Sequence, residues 1–382
     1  MNPLSSLIRK KAGIRNIVLT IAGTLLFFTS CNRADISGNI TGMTSDTLLF
    51  YSSDINTRQA LRTDTVVLKN NRFKLDIPDT AAFIRFIPKP MNKAMAKIDN
   101  GHSLMFFPGD RIRIEGTSGN LRISGSQLYD DLEKFSDIRT IEKKIKELDS
   151  AYSTAYKTGN ITETDRIRKA VKEQYHLAME ARLKAIRSNP NSIASAYLSL
   201  QLDPEKGLEA IGLLSDEVRK GPLEATLQKA KKNYERKIAI KEAEQNIQPG
   251  KTAPDFHFKT LKDEEISLAS FKGKYLLLDF WGTWCGRCIQ GIPAMKECYA
   301  KYSKKMEILG ICCNDTKQKW YESLDRYDLP WINVFDDNTG ISIRYAVTFF
   351  PTKILIDPEG RIVEVFVGES LYMYKKLDTL FR

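Results

Sequence analysis

The stretch Tyr275-Leu-Leu-Leu-Asp279-Phe280-Trp281-Gly282-Thr283-Trp284-Cys285-Gly286-Arg287-Cys288 decides how this chain is read. Its first half is apolar on every residue but one, the pattern of a central strand buried on both faces. Gly282 and Thr283 turn the chain, and a helix-like stretch follows to about Tyr302. Two cysteines separated by two residues at a strand-to-helix turn are placed for redox work. The first thiol falls at a helix N-terminus, where unpaired N–H groups and the helix dipole favour an anion, so the Cys285 thiol is expected to ionise more readily than a free one. The second lies about one turn further on, within reach of the first sulfur. Two other chemistries fit a Cys-x-x-Cys pair, a permanent structural disulfide and half of a zinc site. Zinc needs two further ligands. Cys312 and Cys313 are adjacent, so on a strand they point to opposite faces, and Cys298 and the histidines (His102, His176, His257) complete no familiar spacing. No metal is therefore expected.

Working outward, Gln248-Pro249-Gly250 breaks a helical pattern and marks a boundary. Upstream, Gln127 to Leu148 carries apolar residues at spacings of three and four (Leu128, Leu132, Phe135, Ile138, Ile141, Ile145), which predicts one amphipathic helix. A second stripe (Ile167, Val171, Tyr175, Ala178) ends before Asn189-Pro190, and a third helix is predicted over 222–246. From Ile36 to Gly125 the period is two. Thr65 to Ile77 alternates on both sides of Asn70-Asn71, a hairpin signal, and Arg111-Ile-Arg-Ile-Glu follows the turn at Pro108-Gly109-Asp110. The chain thus divides into 1–30, a β-rich module 31–125, a helical segment 126–248 and a mixed α/β domain 249–382. Ile308 to Cys313 reads as another buried strand, where Cys312 and Cys313 pack as small hydrophobes.

Residues 1–16 are basic and 17–29 apolar, a run too short to span a bilayer but suited to a secretory signal. Thr29-Ser30-Cys31 then resembles the lipobox of bacterial lipoproteins, with Phe28 where leucine is usual. That resemblance implies lipidation of Cys31 and a cell-envelope location, anchored to the membrane and facing the periplasm; an uncleaved anchor helix and a plain secretory signal are the alternatives, and all three place the rest of the chain outside the cytoplasm, where disulfides persist. The 382 residues suffice for two or three domains, and 42% hydrophobic with 27% charged content is ordinary for globular protein. The formal charge of +11 is concentrated nowhere outside Arg9, Lys10, Lys11 and Arg15 of the leader; a solvated surface explains the rest, and no nucleic-acid partner is expected.

Pro254-Asp255-Phe256, Ser267-Leu268, Phe271-Lys272-Gly273-Lys274, the Asp279–Cys288 run, and Phe350-Pro351-Thr352 with Ile356-Asp357 follow one another in an order that resembles the TlpA/ResA type of thioredoxin-fold thiol–disulfide oxidoreductase. The resemblance covers 249–382. It implies a thioredoxin fold with Cys285 as nucleophile, Cys288 as resolving thiol, and the redox-active pair itself in place of any cofactor. It also implies that Asp279 takes the proton of Cys288, that Trp284, Phe350 and Pro351 (a cis proline) meet the client, and that Pro293 lies within the active-site helix. Gly286 and Arg287 replace the Gly-Pro of thioredoxins; a cation beside the thiolate favours the reduced form, and a potential above that of thioredoxin is expected. Thr352-Lys353 lacks the acidic residue of cytochrome-c-maturation reductases. Peroxiredoxins share Pro254-Asp255-Phe256, but their peroxidatic Pro-x-x-x-Thr-x-x-Cys is not what precedes Cys285. Expected partners are clients with disulfides or thiols and an envelope electron donor, a membrane thiol-reductant protein. Residues 36–248 resemble the modules that precede such domains in some Gram-negative lipoproteins and carry no catalytic constellation. Two alternatives stand beside the reductase: a disulfide oxidase or isomerase, and a binding or assembly lipoprotein whose thioredoxin domain is secondary.

Overall fold

The computed structural model describes residues 35–77, 80–89, 101–337 and 339–381. The signal segment and Cys31 lie outside the described residues. The apolar run Tyr275–Trp281 forms the middle strand of a five-stranded sheet, as its two-faced burial requires. Numbered along the chain, the β module comprises β1 (Asp35–Thr41), β2 (Thr47–Asp54), β3 (Ala60–Val67), β4 (Arg72–Asp76), β5 (Ala82–Pro88), β6 (His102–Phe106), β7 (Arg111–Thr117) and β8 (Asn120–Ser124). They make two four-stranded sheets, β4-β1-β7-β8 and β3-β2-β5-β6. Alternate residues of both (Ile36 and Ile112 from one, Phe50, Ile84 and Phe106 from the other) fill one core between them.

The hairpin expected over Thr65–Ile77 does not continue beyond its turn. Asn70 and Asn71 do turn the chain, both with positive φ, and Lys69 bridges Arg72. Beyond that bridge the arms part: β3 pairs with β2, and β4 pairs with β1 in the opposite sheet. The turn is a corner between sheets.

The helices are α1 (Gln127–Glu133), α2 (Ser136–Lys157), α3 (Ile161–Ser188), α4 (Ile193–Ser199), α5 (Pro204–Leu213), α6 (Asp216–Arg219) and α7 (Glu224–Glu244). The single stripe predicted from Gln127 to Leu148 is two helices, broken at Lys134-Phe135. Ile55, Met105 and Phe107 of the β module pack into the same apolar core as α1, α3, α4 and α5. Tyr129 adds a clasp, its hydroxyl accepting from the Met105 N–H at 2.8 Å.

The last domain contains β9 (His257–Lys259), β10 (Glu265–Ser267), β11 (Tyr275–Trp281), α8 (Gly286–Tyr302), β12 (Met306–Cys312), α9 (Lys317–Tyr327), β13 (Ile332–Phe335), α10 (Ile341–Arg344), β14 (Thr352–Ile356), β15 (Ile362–Val367) and α11 (Leu371–Phe381). The sheet order is β13-β12-β11-β14-β15, with β11, β12 and β13 parallel and β14 and β15 antiparallel. Leu276, Leu278 and Phe280 face one apolar layer; Leu277 faces the other, formed with Met295 of α8 and Met373 and Leu377 of α11. This is the thioredoxin fold. From the helical segment, α7 packs against α10, which leads into the Phe350-Pro351 loop.

Candidate active site

Cys285 is the N-cap of α8, and its sulfur accepts a hydrogen bond from the Cys288 N–H at 3.2 Å. That amide is one of the orphan donors of a helix start, so the same bond would stabilise a thiolate at this position. Cys285 and Cys288 are joined as a disulfide. The pair is only 6% and 7% exposed, respectively, and packs with Trp281, Cys312 and Trp320. A permanent bridge would need no exposed apolar surface beside it, but one is present. Trp284 is 52% exposed, its ring meets Phe350 edge-on at 5.2 Å, and its indole N–H donates to the Cys313 carbonyl at 3.2 Å. Gly282 lets the indole fold back, because a Cβ there would lie 2.5 Å from Trp284 Nε1. Phe350 packs on the cysteine cluster, Phe349 is exposed, and the Phe350–Pro351 bond is cis. Gly286 and Arg287 occupy the exposed first turn of α8, and Pro293 lies inside that helix.

Asp279 lies below this surface, on β11, opposite Gly310 of β12 and Lys353 of β14. Burial pushes its carboxyl above the ordinary range; Lys353 pulls it down without fully compensating, and the Glu369 carboxylate adds to the push. Lys353 Nζ is 3.4 Å from Asp279 Oδ1, a longer and weaker contact than its 2.9 Å hydrogen bond to Glu369 Oε2. Lys353 is 2% exposed; burial opposes its charge, but the two carboxylates outweigh that and hold the ammonium above its usual value. By motif comparison alone, Lys353 marks only the absence of an acid. A lone lysine inside the apolar run Thr352–Ile356 was the available signal, as conspicuous as Asp279 in its own strand. Asp315 was also missed. It accepts from the Thr283 N–H at 2.7 Å and so fixes the turn before Trp284. Burial works against its charge, but hydrogen bonds from Thr283 and Thr316 hold it below the usual carboxylate range.

Cys298, Cys312 and Cys313 are buried free thiols. Burial pushes Cys298 up to about 11 and the other two higher still, so none is a nucleophile at neutral pH. Cys312 faces the disulfide layer and Cys313 the opposite one, as adjacent strand residues must. Among the described residues, no group of three or more His, Cys, Asp or Glu side chains is placed to hold a metal ion, and no helix is long and apolar enough to cross a membrane.

Comparison with known proteins finds relatives for both ends of the chain. Residues 249–365 match the AhpC/TSA family, and residues 34–132 match a domain of unknown function, DUF4369. The thiol-disulfide oxidoreductase ResA of Bacillus cereus is 38% identical over 127 residues, covering 33% of this chain and 73% of that protein. The thioredoxin-like protein YneN of Bacillus subtilis is 36% identical over 140 residues, or 35% of this chain and 82% of that one. Among solved structures, the thioredoxin domain of a thiol-disulfide oxidoreductase from Bacteroides vulgatus is 28% identical, covering 35% of this chain and 99% of that chain with a TM-score of 0.33.

Proposed function

This chain belongs to the family of the thiol–disulfide oxidoreductase ResA, and from that premise we propose that it reduces disulfides of client proteins in the cell envelope through Cys285 and Cys288. The observation that carries the reading is the position of Cys285 at the start of α8, with the Cys288 N–H aimed at its sulfur. In the reduced enzyme the Cys285 thiolate attacks one client sulfur. A mixed disulfide forms and the other client sulfur leaves as thiolate. Cys288 then gives its proton to Asp279 and attacks Cys285 Sγ, which releases the second client thiolate and leaves the enzyme with its own bridge. The half-exposed Trp284, with Phe350 and Pro351, receives the client beside the disulfide, the backbone of that loop pairing with an extended segment. Gly286 and Arg287 set the potential. The pair carries the electrons without a further cofactor, and a membrane thiol-reductant protein returns it to the dithiol. Lipidated Cys31 holds the protein to the membrane on the periplasmic side.

The deciding experiment is covalent trapping. Cys288→Ser in the full chain should accumulate client proteins linked through Cys285, released by reductant and lost in the Cys285→Ser/Cys288→Ser double variant. Complete failure to trap, with Cys285 still alkylatable, would favour the assembly-lipoprotein reading. Trapping only clients that are reduced in the wild-type strain and oxidised without the protein supports the reducing direction; the converse pattern assigns an oxidase.

A further inference from the structure

The polar groups beneath the active-site helix extend beyond Asp279. Lys353 stands between two carboxylates and is not shared equally. Its Nζ hydrogen-bonds Glu369 Oε2 at 2.9 Å, whereas Asp279 Oδ1 lies at the longer distance of 3.4 Å. Glu369 is itself fixed, because its other oxygen accepts from the Tyr374 hydroxyl of α11 at 2.6 Å. The space it occupies exists because α8 has glycine at 291: a Cβ there would lie 2.4 Å from Glu369 Oε2. Gly291 is three residues after Cys288, so the two share one face of α8, and Cys288 packs on Trp281, which lies two residues along β11 from Asp279 and so on the same face of the sheet.

We propose that Glu369 and Lys353 are positioning residues for the resolving step: Glu369 holds the Lys353 ammonium on its own carboxylate and so leaves Asp279 free to receive the Cys288 proton. This rests on the reading of Asp279 as proton acceptor. In the step itself the Cys288 proton passes to the Asp279 carboxylate, the Cys288 sulfur bonds Cys285 Sγ, and the bond from Cys285 to the client sulfur breaks, its electron pair leaving as client thiolate. The dithiol is oxidised and the client reduced, and no other reactant enters. Titratable groups that interact electrostatically with the cluster are Tyr374 of α11 and, from the opposite face of the sheet, Cys313 after β12; Cys298 of α8 lies near Tyr374, with Asp378 of α11 and Lys301 beside it.

The test is the pH profile of the resolving phase in single turnover. The reduced full chain is mixed with dithiobis-nitrobenzoate, and release of the second thionitrobenzoate reports attack of Cys288 on Cys285. Glu369→Gln lets Lys353 move onto Asp279, so the midpoint should fall by about one pH unit and the plateau rate should drop several-fold, as expected for a weaker base. Lys353→Met removes the cation and should move the midpoint up. Gly291→Ala displaces Glu369 without altering charge and should act like Glu369→Gln, which covers the case of a variant that fails to fold. Midpoints that stay at the wild-type value, or that move together in Glu369→Gln and Lys353→Met, while Asp279→Asn still removes the pH dependence, overturn the proposal. If Asp279→Asn leaves the profile unchanged, the underlying role of Asp279 fails and this proposal goes with it.

Discussion

Two buried aspartates, one in each half of the molecule, are 7% and 8% exposed and behave in opposite ways. Burial pushes both carboxyls up. At Asp131, between the β module and the helices, Lys134, Ser192 and Gln127 donate hydrogen bonds at 2.7, 2.6 and 2.9 Å, and the carboxyl ends below its usual value. At Asp279 the Lys353 cation is the near partner, it is drawn towards Glu369, and the carboxyl ends above. Similar surface exposure therefore says little about role: Asp279 is the more deeply desolvated and the less well supplied. A saturated carboxylate stitches elements together; an undersupplied one keeps a lone pair for a proton.

The sharpest way to break this contrast is to remove each carboxylate in turn. Asp279→Asn should slow the resolving phase about 100-fold at neutral pH with little loss of stability, measured as above beside a thermal melt. Asp131→Ala should do the reverse, costing about 1–3 kcal/mol by removing the hydrogen bonds from Lys134, Ser192 and Gln127 while leaving the exchange rate per folded molecule unchanged. Tryptophan emission reads the last domain alone, since all four tryptophans lie there, and helical circular dichroism weights the rest. Either variant showing both defects would end the comparison.

Denaturation against pH sharpens it further. A carboxyl depressed in the folded state contributes stability present above its unfolded pKa and lost as pH falls through the folded one, so the cost of Asp131→Asn should vanish in acid. A raised carboxyl contributes stability present below its unfolded pKa and lost as pH rises through the folded one. Asp279→Asn should therefore gain on the wild type as pH rises above the ordinary aspartate value. Parallel curves would mean that the two sites differ less than their hydrogen bonds indicate. Smaller effects are expected at the surface. Trp284→Ala should raise KM for a protein disulfide by about 1 kcal/mol in binding, with the resolving phase intact. Arg287→Ala should lower the reduction potential by on the order of 10 mV, the scale of one exposed charge, read by equilibration with glutathione.

How much of this was legible beforehand followed from how local each feature is. A strand buried on both faces writes itself as Tyr275–Trp281, and a redox turn as Cys-Gly-Arg-Cys, so the central strand and the cysteine pair could be read residue by residue. Lys353 could not, because its meaning depends on the antiparallel register that sets it opposite Asp279. Glu369 depends on Gly291, far away in sequence and informative only by what it lacks. Asn70-Asn71 specifies a reversal but not which sheet each arm joins, so the pattern reads as a hairpin where the structure has a corner. Phe135 kept the apolar stripe running across the break between α1 and α2, and α4 and α6 are too short to show a period.

Ile55, Met105 and Phe107 have a consequence for anyone who wishes to divide this protein. They belong by sequence to the β module and by contact to the helices, so a cut at residue 125 would leave greasy surface on both fragments. The first half should be expressed, swapped or crystallised as a single cassette, and a soluble fragment ending at β8 would be the surprise.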